Sequence, residues 1–580
     1  MNIYKKLGLF MLVIILTFGN TSCIKSSTNE ENSSGPDTSK AELMPNIQNP
    51  DISTPNVPKD TEDHTDKVQS AMPAETDMFT KNDLKDESDF KNAKELILSG
   101  SEDITVSHEG EYLVSGKLSG ASLIIDADKS AKVRLIFNGV DISVVGTAAV
   151  HIKQADKVFI TLAENGGREN IIKSQGEFAE ADGSNVDAAI FSKEDLTFGG
   201  GGKLKIECEK GNGISSKDDL VFTGGSYDIS AASHGIEGKD SVRITASSFE
   251  IKSGKDAIHA ENDDDASLGY LYIESGSFEI SAEGDGLQCS SDMKIKGGSF
   301  NIDSAEDALH SNGNISLDDG SFNILASDDA LHADFNVKIS GGKITVSGSY
   351  EGIEGESIDI LGGEIDIRSS DDGLNAAGGA DESGFGGPFA PGRKDAFGKS
   401  QNNSYINIEG GILRIDAEGD GIDSNGNITV KGGRTYINGP SKSGNGALDY
   451  QLGASISGGI FVAAGVSGMA QNFDSSSTQG SILMSCRGTE PILLTDDNGK
   501  ELISFTPTKN CQSVVISCAE LELDKKYIYK CGEVTTEFTL STLIYGSSGG
   551  HTGHGSPFGP GKPGGFGGFG TPPQNAPSPF

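Results

Sequence analysis

The chain has 580 residues, of which 78 are glycine and only 35% are hydrophobic, and its formal net charge is −39. Such a charge repels phosphate backbones and anionic lipid headgroups, which excludes nucleic-acid or membrane-surface binding through a basic face and requires a cation between this chain and any polyanionic partner. The low apolar fraction and the many glycines disfavour a helical bundle or an ordinary α/β enzyme and favour turn-rich β structure.

Residues 1–23 have the pattern of a bacterial lipoprotein signal peptide. An apolar run from Leu7 to Phe18 follows two lysines, and it is too short for a convincing membrane span. It ends at Cys23 in a motif that resembles a lipoprotein box, although Asn20 stands where such boxes usually have Leu. We therefore predict lipidation of Cys23 and an extracellular, cell-surface protein that meets the membrane only through this anchor. Ordinary cleavage, or none, with a spare thiol is the alternative.

The next segment, residues 24–92, is rich in Ser, Thr, Asn, Asp and Pro and has almost no periodic apolar pattern. This composition predicts a disordered tether. Low-complexity sequence returns at the other end, where residues 546–580 are rich in Gly, Pro and Phe and are predicted to be a disordered tail.

The middle of the chain repeats with a unit of about 22 residues, in which Gly-Ser-Phe-x-Ile is followed by an acidic residue, Gly or Ala, and Leu. Each unit is expected to hold two short strands with alternating apolar residues, and Gly-Gly pairs separate the units. Two longer gaps are insertions. The aligned apolar residues are Leu204, Tyr227, Phe249, Phe278, Phe300, Phe322, Ile344, Ile365, Leu413, Thr435 and Phe461.

A unit this small cannot bury its own apolar face, but stacked units form a continuous core. The sequence thus predicts an all-β protein built on a parallel β-helix, residues 93–479, with about eleven coils and a length on the order of 50 Å at a strand spacing of roughly 4.8 Å. Residues 95–195 are interpreted as irregular first coils with an N-terminal cap.

Residues 480–545 are predicted to form a separate small β region. It contains Cys486, Cys511, Cys518 and Cys531, which allow three pairings. Cys208 and Cys289 occupy different phases of their units and are expected to be buried free thiols.

One turn position of the unit is nearly always acidic. Stacked coils would bring these carboxylates to about 4.8 Å, where each charged pair costs roughly 3.5 kcal/mol at an effective dielectric of 20. Hard divalent cations would neutralise such a column, so we predict Ca²⁺ as the cofactor. The predicted ligands are Asp285, Asp307, Asp329, Glu351, Asp372 and Asp420, with the preceding acids Glu306, Asp328 and Asp371. The alternative is that a repeated turn merely repeats its Asp residues.

A second column follows three residues later and includes His259, His310 and His332. These His residues are interpreted as turn residues rather than transition-metal ligands. An acidic loop at residues 261–265 is either a further cation site or solvated.

The longer insertion offers aromatic faces and cations to a sugar acid, although a floppy loop is the favoured explanation of its composition. The predicted carbohydrate-binding residues are Phe385, Phe389, Arg393, Lys394 and Phe397. Catalytic signatures are scarce, and no catalytic residue is predicted. A β-elimination lyase would need a base such as Arg368 or Arg414 beside Ca²⁺-bound acids, and nothing in the sequence singles out either one.

Three runs carry a family resemblance: residues 187–196 (DAAIFSKEDL), 213–220 (GISSKDDL) and 238–242 (GKDSV). They resemble the clostridial carbohydrate-binding domain family over about residues 95–545. The resemblance implies a right-handed parallel β-helix similar in shape to pectate lyases, with bound Ca²⁺ and with affinity for cellulose and polygalacturonate. This chain has no Trp, which departs from the aromatic platform of many sugar binders and makes acidic pectins bridged by Ca²⁺ more attractive than crystalline cellulose.

The leading hypothesis is a non-catalytic, Ca²⁺-dependent, monomeric binder of plant cell-wall polysaccharide, either pectin-like polygalacturonate or cellulose. Two alternatives remain open at this point. One is a polysaccharide lyase on the same fold, and the other is a structural or adhesion rod with no sugar ligand.

Overall fold

A computed structural model describes residues 72–85, 91–164, 169–179, 185–376 and 403–546. Within these ranges the chain is almost entirely strand and turn, with one short 3₁₀ helix at Glu75–Asp77. The described residues include no helix that is long and apolar enough to cross a membrane. The all-β class predicted from the sequence is confirmed.

Strands of successive coils pair in parallel and form three stacks that run along one rod. The long-strand stack contains Gly110–Ser119, Lys132–Val145, Asn170–Gln175, Lys203–Cys208, Ser226–Ala231, Ser247–Ser253, Gly276–Ala282, Ser299–Ser304, Ser321–Ala326, Lys343–Gly348, Glu364–Ser369, Ile412–Ala417, Arg434–Asn438 and Ile460–Gly465. The short-strand stack contains Ile104–Val106, Leu123–Asp126, Val150–Gln154, Ala188–Ser192, Asn212–Ser216, Ile236–Gly238, Ile258–Ala260, Leu287–Cys289, Leu309–Ser311, Leu331–Ile339, Ile353–Ile360, Leu374–Ala376, Ile422–Ser424 and Asp449–Tyr450.

The third stack completes each coil, and four long strands bend at a corner and contribute to two stacks. It contains Lys94–Leu98, Gly110–Ser119, Lys132–Val145, Lys157–Leu162, Asp195–Gly200, Asp219–Phe222, Ser241–Ile244, Tyr270–Ile273, Met293–Ile295, Ile315–Leu317, Leu331–Ile339, Ile353–Ile360, Tyr405–Ile408, Asn427–Val430 and Gly453–Ile456. The parallel β-helix is thus confirmed.

The strand register confirms the repeat unit residue by residue. Each aligned apolar residue pairs with the next one along the chain, from Leu204 opposite Tyr227 to Thr435 opposite Phe461. The prediction of two strands per unit is wrong, because each coil has three. The missed strand is the short one, such as Leu309–Ser311, and three residues are too few to display an alternating pattern.

The core is a file of stacked side chains inside the rod. Phe300 stacks between Phe278 and Phe322, with ring centroids 4.5 Å apart on both sides and nearly parallel planes. The corner before each long strand is a tight turn, and Gly342 has a φ of +87° there. A Cβ at Gly342 would lie 2.7 Å from the carbonyl oxygen of Gly320 in the previous coil, so this turn requires glycine.

At the C-terminal end of the rod, the parallel pairing of successive coils ends. The last long strand pairs antiparallel with Cys511–Ser517, which pairs with Ser481–Gly488, and Ile544–Tyr545 adds to that edge. A separate antiparallel sheet has the order Glu501–Phe505, Ile492–Asp496, Lys526–Cys531 and Val534–Thr539. Of the pairings left open, the structure contains Cys486–Cys511. The free and buried thiols are Cys208, Cys289, Cys518 and Cys531.

Part of the expected tether is ordered. Residues 72–85, which we call the strap, lie along the outside of the third stack, where Met78 and Asp83 are fully buried. The sequence places them in a disordered segment because they have no periodic apolar pattern. The rest of that segment up to residue 71, the signal peptide and the tail from residue 547 lie outside the described residues.

Candidate functional site

The predicted acidic column is real and lies at the turn between the long-strand and short-strand stacks. Its carboxylates are largely buried. All except Glu351, which accepts from the Asn375 side chain, accept a hydrogen bond from the backbone of the next coil. The N–H groups of Asp285, Asp307, Asp329 and Glu351 donate to Asp256, Asp285, Asp307 and Asp329 at 2.9, 2.8, 2.8 and 3.1 Å. We call this series the carboxylate ladder, and it gives the acidic position a structural role in joining coils.

Histidines neutralise the N-terminal section of the column. His259 Nδ1 lies 2.7 Å from Asp256, and His310 Nδ1 lies 2.8 Å from Asp307. The sets His234–Asp256–His259, Asp285–Asp307–His310 and Asp329–His332–Glu354 each bring three possible ligand atoms within 4.8 Å. The same geometry serves ion pairs between imidazolium and carboxylate, which supports the interpretation of these His residues as turn residues.

The electrostatics of this section follow from burial and pairing. Burial opposes the charge on His332, but its hydrogen bonds to Asp329, Asp334 and Glu354 raise its pKa far above the ordinary value. Burial raises the pKa of Asp285 to about 8, and the neighbouring Asp307 carboxylate adds to the rise. For Asp256, hydrogen bonds from His234 and His259 outweigh burial and lower the pKa.

The C-terminal section of the column has no such partner. We define the C-terminal acidic section as Asp372, Asp420, Asp423 and Asp449, which are half-buried. Within the described residues, none of the four forms an ion pair with Lys, Arg or His. Burial first, and then repulsion from neighbouring acids that include Asp423 and Asp449, raises the pKa of Asp372 to about 7 and that of Asp420 to about 8. Burial, followed by Asp449, raises the pKa of Asp423 to about 6.

Asn375 borders the acidic section from within the short-strand stack, directly opposite Asp423. It is 8% exposed, and its Nδ2 donates to both carboxylate oxygens of Glu351 in the preceding coil at 3.0 and 2.9 Å. The other end of the planar amide, Oδ1, is buried and accepts no hydrogen bond. The Asn375 amide oxygen and the carboxylate oxygens of the acidic section are oxygen donors of the kind that Ca²⁺ takes.

The acids that precede the column differ in their surroundings. Glu306 joins Asp256 and Asp285, and Asp328 joins Asp307 and Asp329, as sets whose oxygens lie within 4.8 Å. Glu351 is buried beside Glu354 and Asp329, and burial followed by this repulsion raises its pKa to about 10.

The remaining predicted acid, Asp371, forms a hydrogen bond with Tyr350 that raises the pKa of that phenol. Asp371 lies at the same turn as Asp372, where a Cβ on Gly419 would approach both carboxylates. All nine predicted metal ligands therefore lie along the column.

Other predicted features fall elsewhere. Phe385, Phe389, Arg393, Lys394 and Phe397 lie outside the described residues, as does Cys23. In the acidic loop, Asp264 pairs with Lys239 at 2.6 Å, and Asn262 caps the turn by accepting N–H groups.

Arg414 is one of the two residues considered above as a possible base for a lyase. Its Nη1 lies 3.0 Å from both Glu364 and Asp366 at an exposed position of the long-strand stack. Its charge is thus already engaged.

A row of basic and aromatic side chains, with one threonine among them, lies on the outer face of the third stack and was not predicted from the sequence. Its members are Arg134, Lys157, Phe159, Thr197, Arg243, Tyr272, Lys294 and Lys296. The signal was present as single polar residues between apolar ones, as in Val133-Arg134-Leu135 and Val242-Arg243-Ile244. The strap covers this row.

Comparisons with known proteins agree with the predicted resemblance. Residues 100–352 match the family model described as carbohydrate-binding domain-containing protein. A relative with the same description from Acetivibrio thermocellus is 32% identical over 137 residues, which are 23% of this chain and 47% of the relative. The matched stretch thus spans about half the length of this relative. The predicted family resemblance is confirmed over the matched residues.

A solved structure is also similar, the gadolinium derivative of the polysaccharide lyase-like protein from C. thermocellum. It is 26% identical and covers 44% of this chain and 88% of that chain, with a TM-score of 0.30.

Proposed function

We propose that this chain is a non-catalytic polysaccharide-binding protein that takes pectin-like polygalacturonate, or a cellulosic cell-wall glycan, with the help of Ca²⁺. The observation that carries the proposal is the match of residues 100–352 to the carbohydrate-binding family model. Those residues form regular coils whose flat outer faces repeat along the rod, as the units of a polymer do. The export signal supports a place on the outside of a bacterial cell, held by lipid at Cys23.

For the cation, the C-terminal acidic section is the best-supported locus on the column. Asp372, Asp420, Asp423 and Asp449 would hold Ca²⁺ with Asn375 Oδ1, and the ion would neutralise carboxylates that repel one another. The His-paired section needs less from a cation because imidazolium groups already face its carboxylates.

Ca²⁺ should stabilise the chain against thermal unfolding, and a chelator should remove the gain. At a Ca²⁺ concentration one hundred times the Kd, the gain is about 2.7 kcal/mol, because the ion binds the folded state and not the unfolded one. The double variant Asp420→Asn/Asp423→Asn should lose this gain, whereas Asp303→Asn, an exposed acid outside the column, should keep it. Differential scanning calorimetry with CaCl₂ and with EDTA measures the effect. If Asp285→Asn removes the gain and the double variant keeps it, the cation belongs to the His-paired section instead.

Affinity for the glycan is tested by retention of the purified chain on immobilised polygalacturonate and on cellulose, with Ca²⁺ and with EDTA. We expect retention on polygalacturonate that EDTA reduces at least tenfold, and no rise in ultraviolet absorbance. Such a rise would report unsaturated uronate products and would make the protein a lyase. Absence of retention on both polymers under both conditions would leave a structural rod.

A further inference from the structure

In the hydrogen bonds between the strap and the third stack, the stack supplies the donors and the strap supplies the acceptors. Arg134 and Arg243 donate to the carbonyl oxygens of Asn82 and Met78 at 2.9 and 3.1 Å. The Asp83 carboxylate accepts from Thr197 at 2.9 Å and pairs with Lys157 at 3.0 Å. Glu75 pairs with Lys294 and Lys296, both at 2.6 Å. Without the strap, these cations and the Thr197 hydroxyl would lose the acceptors that the strap supplies.

These donors are interleaved with aromatic rings. The Arg134 guanidinium lies 4.0 Å from the ring centroid of Phe159, and Tyr272 is fully buried beneath Met78 and Phe79. The Tyr272 hydroxyl is buried without a hydrogen-bond partner, so this ring has a donor that the strap leaves unused. Cations beside rings suit a ligand with carboxylates, hydroxyls and apolar ring faces, which describes a polyuronate.

Four acids of the rod also belong to this face. Asp219 pairs with Arg243, Asp195 lies 3.9 Å from Lys157, and Asp318 lies 3.6 Å from Lys294. Glu274 adds its charge beside Lys296. Five cations against these four acids leave this face with a small positive balance on a chain whose net charge is −39.

The strap lies along the third stack as an extended polyuronate chain would. Its carboxylates Glu75 and Asp83 reach lysines five coils apart, on Met293–Ile295 and Lys157–Leu162, a span of about 24 Å at a strand spacing of roughly 4.8 Å. Only Met78 and Asp83 are fully buried. Its backbone–backbone hydrogen bonds, such as that from Leu84 N–H to the Thr80 carbonyl oxygen, stay within the strap and do not extend any sheet.

We propose that the face of the third stack beneath the strap is a binding surface for a carboxylate-bearing polysaccharide, and that the strap occupies this surface until the polymer displaces it. The inference rests on the proposed function and deepens it by naming the face and the ligand class. Glu75 and Asp83 stand where uronate carboxylates would lie, and the ring of Tyr272 is uncovered for a sugar face as Met78 withdraws.

The absence of Trp from the chain permits a clean optical test. Phe79→Trp places the chain's one tryptophan in the strap, beside Tyr272, where it can be excited selectively at about 295 nm. Leu325→Trp is the matched control on the long-strand stack, at a side chain that is 49% exposed. Both full-length variants are titrated with polygalacturonate, and with neutral dextran as the comparison polymer. We expect polygalacturonate alone to shift the emission of Phe79→Trp to the red and to raise its acrylamide quenching at least twofold, and we expect the control signal to stay constant.

A second variant separates this inference from the proposed function. Asp83→Asn removes the charge that Lys157 holds and should raise the affinity for polygalacturonate about tenfold, whereas adding Lys294→Gln should reverse most of that gain. If the wild-type chain is retained on polygalacturonate but neither Phe79→Trp nor Asp83→Asn behaves as expected, the strap inference is overturned and the proposed function stands. If only Asp83→Asn is retained, the covered surface is supported. If no form is retained, both proposals fall.

Discussion

Replacing His332 with alanine is expected to lower the free energy of unfolding by about 3–5 kcal/mol at neutral pH. His332 is 5% exposed, and its Nδ1 lies 2.8 Å from Glu354 and 3.2 Å from Asp329. Its loss leaves two buried carboxylates without a cation and also removes packing between stacked imidazoles, since the His310 ring lies 5.0 Å away. Removal of one partner from a buried ion pair costs more than the pair itself contributes, because the remaining charge stays desolvated.

The pH dependence of this loss has a definite sign. Because the pKa of His332 is raised in the folded chain, its stabilisation is complete below the unfolded His pKa of about 6.5 and is lost as the pH rises through the folded value. The difference between wild type and His332→Ala is therefore expected to be largest below about pH 6.5 and to decrease as the pH rises above that value. Urea unfolding followed by circular dichroism measures it.

His108→Ala is the matched control, because the His108 imidazole is exposed and forms a hydrogen bond with the adjacent Ser107. It should change stability by less than about 0.5 kcal/mol. A loss below about 1 kcal/mol for His332→Ala would mean that protons, and not imidazolium groups, neutralise this section of the column.

Phe300→Ala is expected to cost about 3–5 kcal/mol through loss of burial and creation of a cavity. Phe300 is fully buried, and its ring is the middle one of three parallel rings. The offset stack adds about 0.5–1.5 kcal/mol for each ring pair that is lost. Because each coil contacts mainly its neighbours, the damage should be local, so amides of Gly276–Ala282 and Ser321–Ala326 should lose hydrogen-exchange protection before distant coils do.

Leu325→Ala is the control for this substitution. Leu325 belongs to the next strand of the same stack but points outward and is 49% exposed, so its truncation should change stability by less than about 0.5 kcal/mol. Equal losses for Phe300→Ala and Leu325→Ala would contradict the assignment of Phe300 to the interior file.

The coils were predictable because the inward-facing apolar residues recur with a single period along the sequence. A stacked solenoid repeats its inward residues at the length of one turn, so Phe278, Phe300 and Phe322 reveal both the unit and its register. The acidic column follows from the same period. Its hydrogen bonds to the next coil do not, because they depend on where each carboxylate points, and that direction is set only after the coils are stacked.

The strap and the basic row lay beyond sequence reasoning for a different reason. Their contacts join single residues that are far apart in the chain and follow no period: Asp83 meets Thr197 across 114 residues, and Glu75 meets Lys296 across 221. Met78 is one apolar residue in a polar segment, and its burial depends on a hollow beside Tyr272 that exists only on the finished rod. A periodic sequence pattern reveals only the structure that repeats. The strap occurs once and crosses several coils, so no periodic pattern marks it in the sequence.

The carboxylate ladder also makes the contacts between successive coils chemically equivalent. At Asp285, Asp307 and Asp329 each coil receives a carboxylate acceptor from the coil before it and offers the same acceptor to the coil after it. The step is 22 residues, except for the 29 residues between Asp256 and Asp285. A gene duplication or deletion of one such unit would leave an identical joint behind. The rod can therefore grow or shorten in evolution by whole turns, with its caps untouched, and its length becomes a trait that selection can set independently of its fold.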